Sequence, residues 1–141
     1  MSIVYINIGS NLGDKRAMIE EAIERIGEEF GYFCLSEFVE SAPWGFDSTN
    51  SFLNIGVAFK SDKHPEEILK RLQGIEKDLS RVAHRDAEGK YQDRDLDIDI
   101  MTIDGITYRS ERLILPHPHL HERDFFLQPL KELIPPSASD R

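Results

Sequence analysis

Arg94-Asp95-Leu96-Asp97-Ile98-Asp99-Ile100 alternates strictly between polar and apolar residues, the period of a β-strand with one face in a core. Leu96, Ile98 and Ile100 would point inward. Asp95, Asp97 and Asp99 would then line the opposite face. Like charges placed in a row repel, and aspartate is a poor strand former. A hard divalent cation would offset that repulsion: Mg²⁺ is commonly held by one or two carboxylates together with substrate phosphates. The alternative is a solvated strand face that simply carries charge, and the pattern leaves both open.

Around this stretch the basic residues are unevenly placed. The chain of 141 residues has a formal net charge of −9, which argues against a general nucleic-acid or anionic-membrane binder. Yet Arg81, Arg85, Lys90, Arg94, Arg112 and Arg123 all fall in or near the segment flanking the aspartates. Arginines beside carboxylates suggest a polyphosphate site, with Arg for the oxygens and Asp for a metal. Upstream, residues 80–92 break all periodicity and contain Gly89, as expected of a mobile lid between a helix and a functional strand.

Further out the chain reads as one domain, 1–141, long enough for a real core. No run of about eighteen apolar residues suggests a membrane span. The N-terminus goes directly into a strand pattern without the features of a signal peptide. Cys34 is the one cysteine, so no internal disulfide forms and a reducing cytoplasm is expected. Residues 3–8 read as a central strand, and 9–14 as a turn. Met18, Ile19, Ala22, Ile23, Ile26 and Phe30 recur at helical spacing between an Asp14 N-cap and a Gly31 stop. Residues 32–40 predict a second strand. Residues 41–50 predict a long loop whose Trp44 and Phe46 either stack on a planar ligand or fold back over the core. Residues 52–59 predict a third strand with Asn54 as its odd polar member. Pro65, Glu66 and Glu67 open a second helix with Ile68, Leu69, Leu72, Ile75 and Leu79 on its apolar face. After the aspartate strand come a short hairpin (106–108 with 112–115), the run Pro116-His117-Pro118-His119-Leu120-His121, and a third helix over 123–133.

Strand, helix, strand, strand, helix, strand predicts an α+β, ferredoxin-like split βαβ sandwich: an antiparallel sheet with helices packed on it. That architecture hosts many functions and decides none. An RNA-binding module would need aromatics on central strands and a basic sheet; here the sheet carries aspartates. A zinc site at His117, His119 and His121 lacks cysteine support and the usual spacings. A small-molecule sensor would explain the fold but not the arginines beside the aspartates.

With these residues assembled, the sequence resembles the 6-hydroxymethyl-7,8-dihydropterin pyrophosphokinases of folate biosynthesis. The likeness rests on Gly9-Ser10-Asn11-Leu12-Gly13, Pro43-x-Gly45, Phe52-Leu53-Asn54, Gln73-x-x-Glu76, Arg81 and Arg94-x-Leu96-Asp97-Ile98-Asp99-Ile100. It continues in Pro116-His117-Pro118 and Arg123-x-Phe125-x-Leu127-x-Pro129-Leu130. It implies transfer of pyrophosphate from ATP to the pterin hydroxymethyl group, with release of AMP. It implies that Asp97 and Asp99 hold two Mg²⁺ ions and that Arg81 and Arg94 are catalytic and close on the phosphates. Gln73, Glu76, Arg112, His117 and Arg123 fall at ATP-side positions. Asn54, Phe125, Phe52 and the stretch Ser41, Ala42, Pro43, Trp44, Gly45 fall at pterin-side positions. Tyr91 stands near where family members carry a lid tryptophan, the second lid arginine is either Arg85 or absent, and Asp95 is an extra acid that either tunes the metals or is a spectator. The expected partners are small molecules, with no nucleic acid and no membrane, for a monomer in the cytoplasm.

Overall fold

Nine residues, Ser2–Ser10, form the central strand β1, and the computed structural model shows how its alternation separates two faces. The structure describes residues 1–41, 51–80 and 95–133. After β1 come α1 (Lys15–Phe30), β2 (Phe33–Leu35), β3 (Val39–Ser41) and β4 (Phe52–Ser61). Then follow α2 (Pro65–Leu79), β5 (Asp97–Ile103), β6 (Tyr108–Arg109), β7 (Ile114–Leu115), a 3₁₀ turn (Leu120–Arg123) and α3 (Asp124–Leu133).

β1 pairs antiparallel with β4 on one side and β5 on the other, while β2 and β3 both lie along the far side of β4. This is the ferredoxin-like split βαβ arrangement, in which two strands joined through a helix sit either side of a third. Val4, Ile6 and Ile8 of β1 join Ile55, Val57 and Phe59 of β4 and Ile98 and Ile100 of β5 on one face. Ile19, Ala22 and Ile26 of α1 and Ile68, Leu69, Leu72 and Ile75 of α2 pack onto that face. Each fully buried aliphatic side chain contributes roughly 1.5–3 kcal/mol, so this layer is the main source of stability.

The helix ends follow the sequence. Asp14 accepts a hydrogen bond from the Ala17 amide at 3.1 Å, and Gly31 closes α1 at φ 87°. At the start of α2 Pro65 occupies the first turn, and His64 Nδ1 accepts from the Glu66 amide at 3.1 Å.

Three expectations are corrected. Residues 32–40 are two short strands, not one. Cys34 opposes Ala58 and Leu35 opposes Val57, whereas Val39 opposes Asn54, so this side has one extra residue. Ser36 fixes the break: its amide donates to the Gly56 carbonyl at 2.9 Å, and its Oγ accepts from the Gly56 amide at 2.8 Å. Such bulges re-aim the residues beyond them. Second, Gly9 and Ser10 belong to β1 and not to the following turn; Gly13, at φ 66°, is the turn glycine. Third, Asp95 does not share a strand face with Asp97 and Asp99. β5 begins at Asp97, and the buried Asp95 carboxylate accepts from Ser80 Oγ, at the end of α2, at 2.6 Å.

Among the described residues, the second face is covered at one end only. Leu127 and Leu130 of α3 pack with Ile3, Tyr5, Cys34, Ala58 and Met101. A bulge in β5 makes this possible: Ile6 opposes Ile100 but Tyr5 opposes Thr102, so Met101 is the extra residue. The other end of the second face is polar.

Candidate active site

At that polar end, two rungs cross three neighbouring strands. Gly9 of β1 stands opposite Asn54 of β4 and opposite Asp97 of β5. One rung along, Asn7 stands opposite Gly56 and Asp99. Directly opposed residues of antiparallel strands share a face. Asp97 and Asp99 therefore line one edge of this surface and Asn54 the other, with Asn7 and Gly9 between them. Strands lie about 4.8 Å apart, which sets Asp97 and Asn54 roughly 10 Å apart at their backbones.

Asn54 is 2 % exposed. Its Nδ2 donates to the Val39 carbonyl at 3.3 Å and the Phe52 carbonyl at 3.4 Å, and its Oδ1 accepts from Asn7 Nδ2 at 3.3 Å. Both amide hydrogens are thereby committed to the protein. An amide oxygen such as Asn54 Oδ1 is an acceptor with two lone pairs. Gly9 gives that amide room, for a Cβ there would stand 2.9 Å from Asn54 Oδ1 and 3.4 Å from Phe52 Cδ1. The buried Phe52 lies on the same face, two residues from Asn54.

The aspartates are partly buried, on alternate positions of β5. The strand that carries them is anchored between them: the Ile98 amide donates to the buried Glu76 carboxylate of α2 at 2.7 Å. An edge strand otherwise presents such amides unpaired. Glu76 was expected on the ATP side; it stands at the β5 edge with one carboxylate oxygen bonded to backbone. Gln73, three residues earlier on α2, is exposed.

His117 also joins this edge. Its amide donates to the Met101 carbonyl at 2.7 Å, and its Nδ1 accepts from the His119 amide at 3.0 Å. His119 and His121 instead pair with Glu122 at 3.1 and 3.3 Å. Among the described residues no three His, Cys, Asp or Glu side chains gather as a metal cluster. Arg112, between β6 and β7, is exposed and lies 3.2 Å from Glu66 of α2. Ser110 and Tyr108 donate to the same carboxylate and, in that order, hold Glu66 below the usual carboxylate range.

The structure thus brings Asp97, Asp99, Asn54 and Phe52 to one surface, with Glu76 and His117 along its β5 edge. Ala42, Pro43, Trp44, Gly45, Arg81 and Arg94 lie outside the described residues, as do Phe46, Arg85 and Tyr91. Ser41, Arg123 and Phe125 are described at the backbone alone. Two residues of the surface went unremarked in the sequence, Asn7 and the strand role of Gly9. The signal for Asn7 is the one that marked Asn54: a lone amide in an apolar strand.

Residues 5–135 match the 7,8-dihydro-6-hydroxymethylpterin-pyrophosphokinase family. The chain belongs to that family. A Porphyromonas gingivalis protein named 2-amino-4-hydroxy-6-hydroxymethyldihydropteridine pyrophosphokinase is 41 % identical over 137 residues, spanning 96 % of this chain and 92 % of that protein. An Aquifex aeolicus protein of the same name is 36 % identical over 135 residues, spanning 96 % and 82 %. The folic acid synthesis protein FOL1 of Dictyostelium discoideum is 34 % identical over 134 residues, which are 95 % of this chain but 20 % of that larger protein. In this pyrophosphokinase-family fold the polar half of the second sheet face is the surface where Asp97, Asp99 and Asn54 meet. No helix among the described residues is long and apolar enough to cross a membrane.

Proposed function

We propose that the polar sheet face is where this chain joins 6-hydroxymethyl-7,8-dihydropterin to the pyrophosphoryl group of ATP. Membership of the family makes the chain a pyrophosphokinase of folate biosynthesis; the division of labour among its residues is our reading. The observation that carries it is the rung Asp97–Gly9–Asn54, with an acceptor at one end, a carboxylate at the other and no side chain between. A flat heterocycle lying over Gly9 meets both ends.

At the Asn54 end, the Oδ1 acceptor takes an N–H or amino donor of the pterin edge, and Phe52 supplies apolar contact. Ser41, Ala42, Pro43, Trp44, Gly45 and Phe125 are proposed to complete that side. The hydroxymethyl oxygen then points toward β5. There its bond to the β-phosphorus of ATP forms as its proton passes to water and the bond from that phosphorus to the α-side bridging oxygen breaks, and AMP leaves with the negative charge. Gln73, Glu76, Arg112, His117 and Arg123 are proposed on the ATP side. Arg81 and Arg94 offset phosphate charge. Little covalent chemistry falls to the protein in such a transfer, and positioning with electrostatic stabilisation does most of it.

The donor set fits Mg²⁺. Asp97 and Asp99 provide two oxygen donors on one face, and the absence of a third carboxylate or imidazole among the described residues suits a cation completed by phosphate oxygens. Two Mg²⁺ ions held there would supply charge neutralisation of the triphosphate. The aspartates serve that purpose, and Glu76 keeps their strand in register through Ile98. The enzyme is proposed to act as a cytoplasmic monomer.

The test is AMP release from ATP and Mg²⁺, with and without the pterin, in the native chain and in Asp97→Asn and Asp99→Asn. AMP should appear only with the pterin, and either substitution should abolish it while pterin binding persists. AMP formation at near-native rate by either variant would refute the metal assignment.

A further inference from the structure

The β6–β7 hairpin is pinned to the first turn of α2 by one carboxylate, that of Glu66. Glu66 Oε2 accepts from Tyr108 Oη at 2.9 Å and from Ser110 Oγ. Ser110 in turn gathers the residues between the two strands. Its amide donates to the Leu113 carbonyl at 2.8 Å, and its Oγ accepts from the Arg112 and Leu113 amides at 3.3 and 3.2 Å. One oxygen of Glu66 therefore docks the hairpin and holds the backbone of Arg112 through Ser110. The other oxygen, Oε1, is buried and takes no hydrogen bond among the described residues. Arg112 Nη2 stands 3.2 Å from it. Docking alone needs no charge, because the two hydroxyls would donate equally to an amide oxygen. The charge of Glu66 acts on Arg112. That side chain is 74 % exposed, and a long exposed arginine otherwise samples many rotamers. The contact is made at Nη2, and the Nε and Nη1 hydrogens of the planar fork meet no acceptor among the described residues.

We infer that Glu66 is a positioning residue for ATP: it holds Arg112 by the backbone through Ser110 and by the guanidinium through Oε1, and so presents the remaining guanidinium donors to the nucleotide. The inference rests on the reading of Arg112 as an ATP-side residue. It deepens that reading by saying how an exposed arginine becomes an ordered one. Fixing a long side chain on binding costs affinity, and Glu66 has fixed this one beforehand. Glu66 acts through Arg112 and not on the nucleotide, whose negative charge its carboxylate would repel. An arginine held between a protein carboxylate and a phosphate offers its donors to both at once.

The test compares Glu66→Gln, Arg112→Ala, the double variant and Tyr108→Phe in steady-state kinetics, with KM for each substrate and the thermal midpoint. Glu66→Gln keeps an acceptor for the two hydroxyls and removes the charge beside Arg112. It should raise the ATP KM roughly threefold to tenfold, the cost of ordering one untethered side chain, and leave the pterin KM within about twofold. Arg112→Ala should raise the ATP KM about tenfold or more, as for a lost hydrogen bond to a charged group. Adding Glu66→Gln to Arg112→Ala should change the ATP KM by less than about twofold, because the group that Glu66 positions is gone. Tyr108→Phe removes a docking hydroxyl and spares Oε1. It should lower the midpoint and leave the ATP KM within about twofold of native. If Arg112→Ala raises the ATP KM and Glu66→Gln does not, the positioning role is overturned and the ATP-side reading of Arg112 stands. If Arg112→Ala leaves the ATP KM unchanged, that reading fails and takes the role of Glu66 with it. An ATP KM raised as much by Tyr108→Phe as by Glu66→Gln, or raised again by Glu66→Gln in the double variant, would make Glu66 merely structural and overturn the inference.

Discussion

Gly9 and Asn54 face each other across β1 and β4, so close that a Cβ on Gly9 would stand 2.9 Å from Asn54 Oδ1. A contact under 3.0 Å forces one partner to move, and Asn54 is held by hydrogen bonds with Asn7, Val39 and Phe52. Gly9→Ala should therefore shift the Asn54 amide. Overpacking of this kind costs about 1–3 kcal/mol, readable as a lower urea midpoint at unchanged m. The pterin KM should rise tenfold or more, about 1.4 kcal/mol or more of binding. Native pterin KM in a Gly9→Ala chain would mean that the space over Gly9 is not used by substrate.

Glu76 and Ile98 tie α2 to the strand between the two aspartates. Glu76 is 8 % exposed, and its carboxylate takes the Ile98 amide at 2.7 Å. Hydrogen bonds to charged groups contribute about 1.5–3 kcal/mol. Glu76→Ala should cost about that much in denaturant unfolding. Hydrogen exchange at the Ile98 amide should accelerate, since its partner is gone. Because Ile98 lies between Asp97 and Asp99, the Mg²⁺ concentration for half-maximal turnover should rise as well. A Glu76→Ala protein with native stability and native Ile98 protection would remove Glu76 from this role.

The contrast between what the chain discloses and what it conceals lies in register. Period two over 96–100 placed Ile98 and Ile100 in the core and Asp97 and Asp99 opposite, as the sheet has them. The stripes of α1 and α2, the Asp14 and Gly31 ends of α1 and Pro65 at the start of α2 are equally legible, because each depends on residues within one turn. Asp95 was misplaced because alternation cannot say where a strand begins. The deciding contact, to Ser80, spans fifteen residues of separation. Gly9 was read as a turn residue because glycine signals turns far more often than close approach. Its actual neighbour, Asn54, is set by pairing with β4. The bulges at Ser36 and Met101 were equally out of reach, since each is a property of two strands together. Within the site, residue types were readable, while the rungs that align them were not.

Ser80 and Asp95 give a test that separates the acids. The Asp95 carboxylate is 7 % exposed and accepts from Ser80 Oγ at 2.6 Å, so it holds the end of α2 to the approach to β5. Ser80→Ala should lower unfolding free energy by about 1.5–3 kcal/mol, as for a hydrogen bond to a charged group. Asp95→Asn should leave the Mg²⁺ dependence of turnover within about twofold of native, unlike Asp97→Asn or Asp99→Asn. A large shift in Mg²⁺ dependence for Asp95→Asn would make Asp95 a member of the metal site.

Glu66 carries the clearest pH signature. Ser110 and then Tyr108 donate to its carboxylate, with Arg112 beside it, and together they favour the charged form. Its folded-state pKa therefore lies below the ordinary value of 4.5. Folding then gains from this group at every pH above that value, and the gain disappears as pH falls through the lower, folded-state value. Glu66→Gln should be less stable than native at pH 7. Its unfolding free energy should also fall less steeply than the native chain's as pH drops below about 4.5, where the native carboxylate becomes protonated. Ser110→Ala should reproduce part of that flattening and Tyr108→Phe a smaller part, in the order of their influence on the carboxylate. Thermal melts across this range decide it: parallel acid limbs for native and Glu66→Gln would show that the α2–hairpin contact does not depend on this charge.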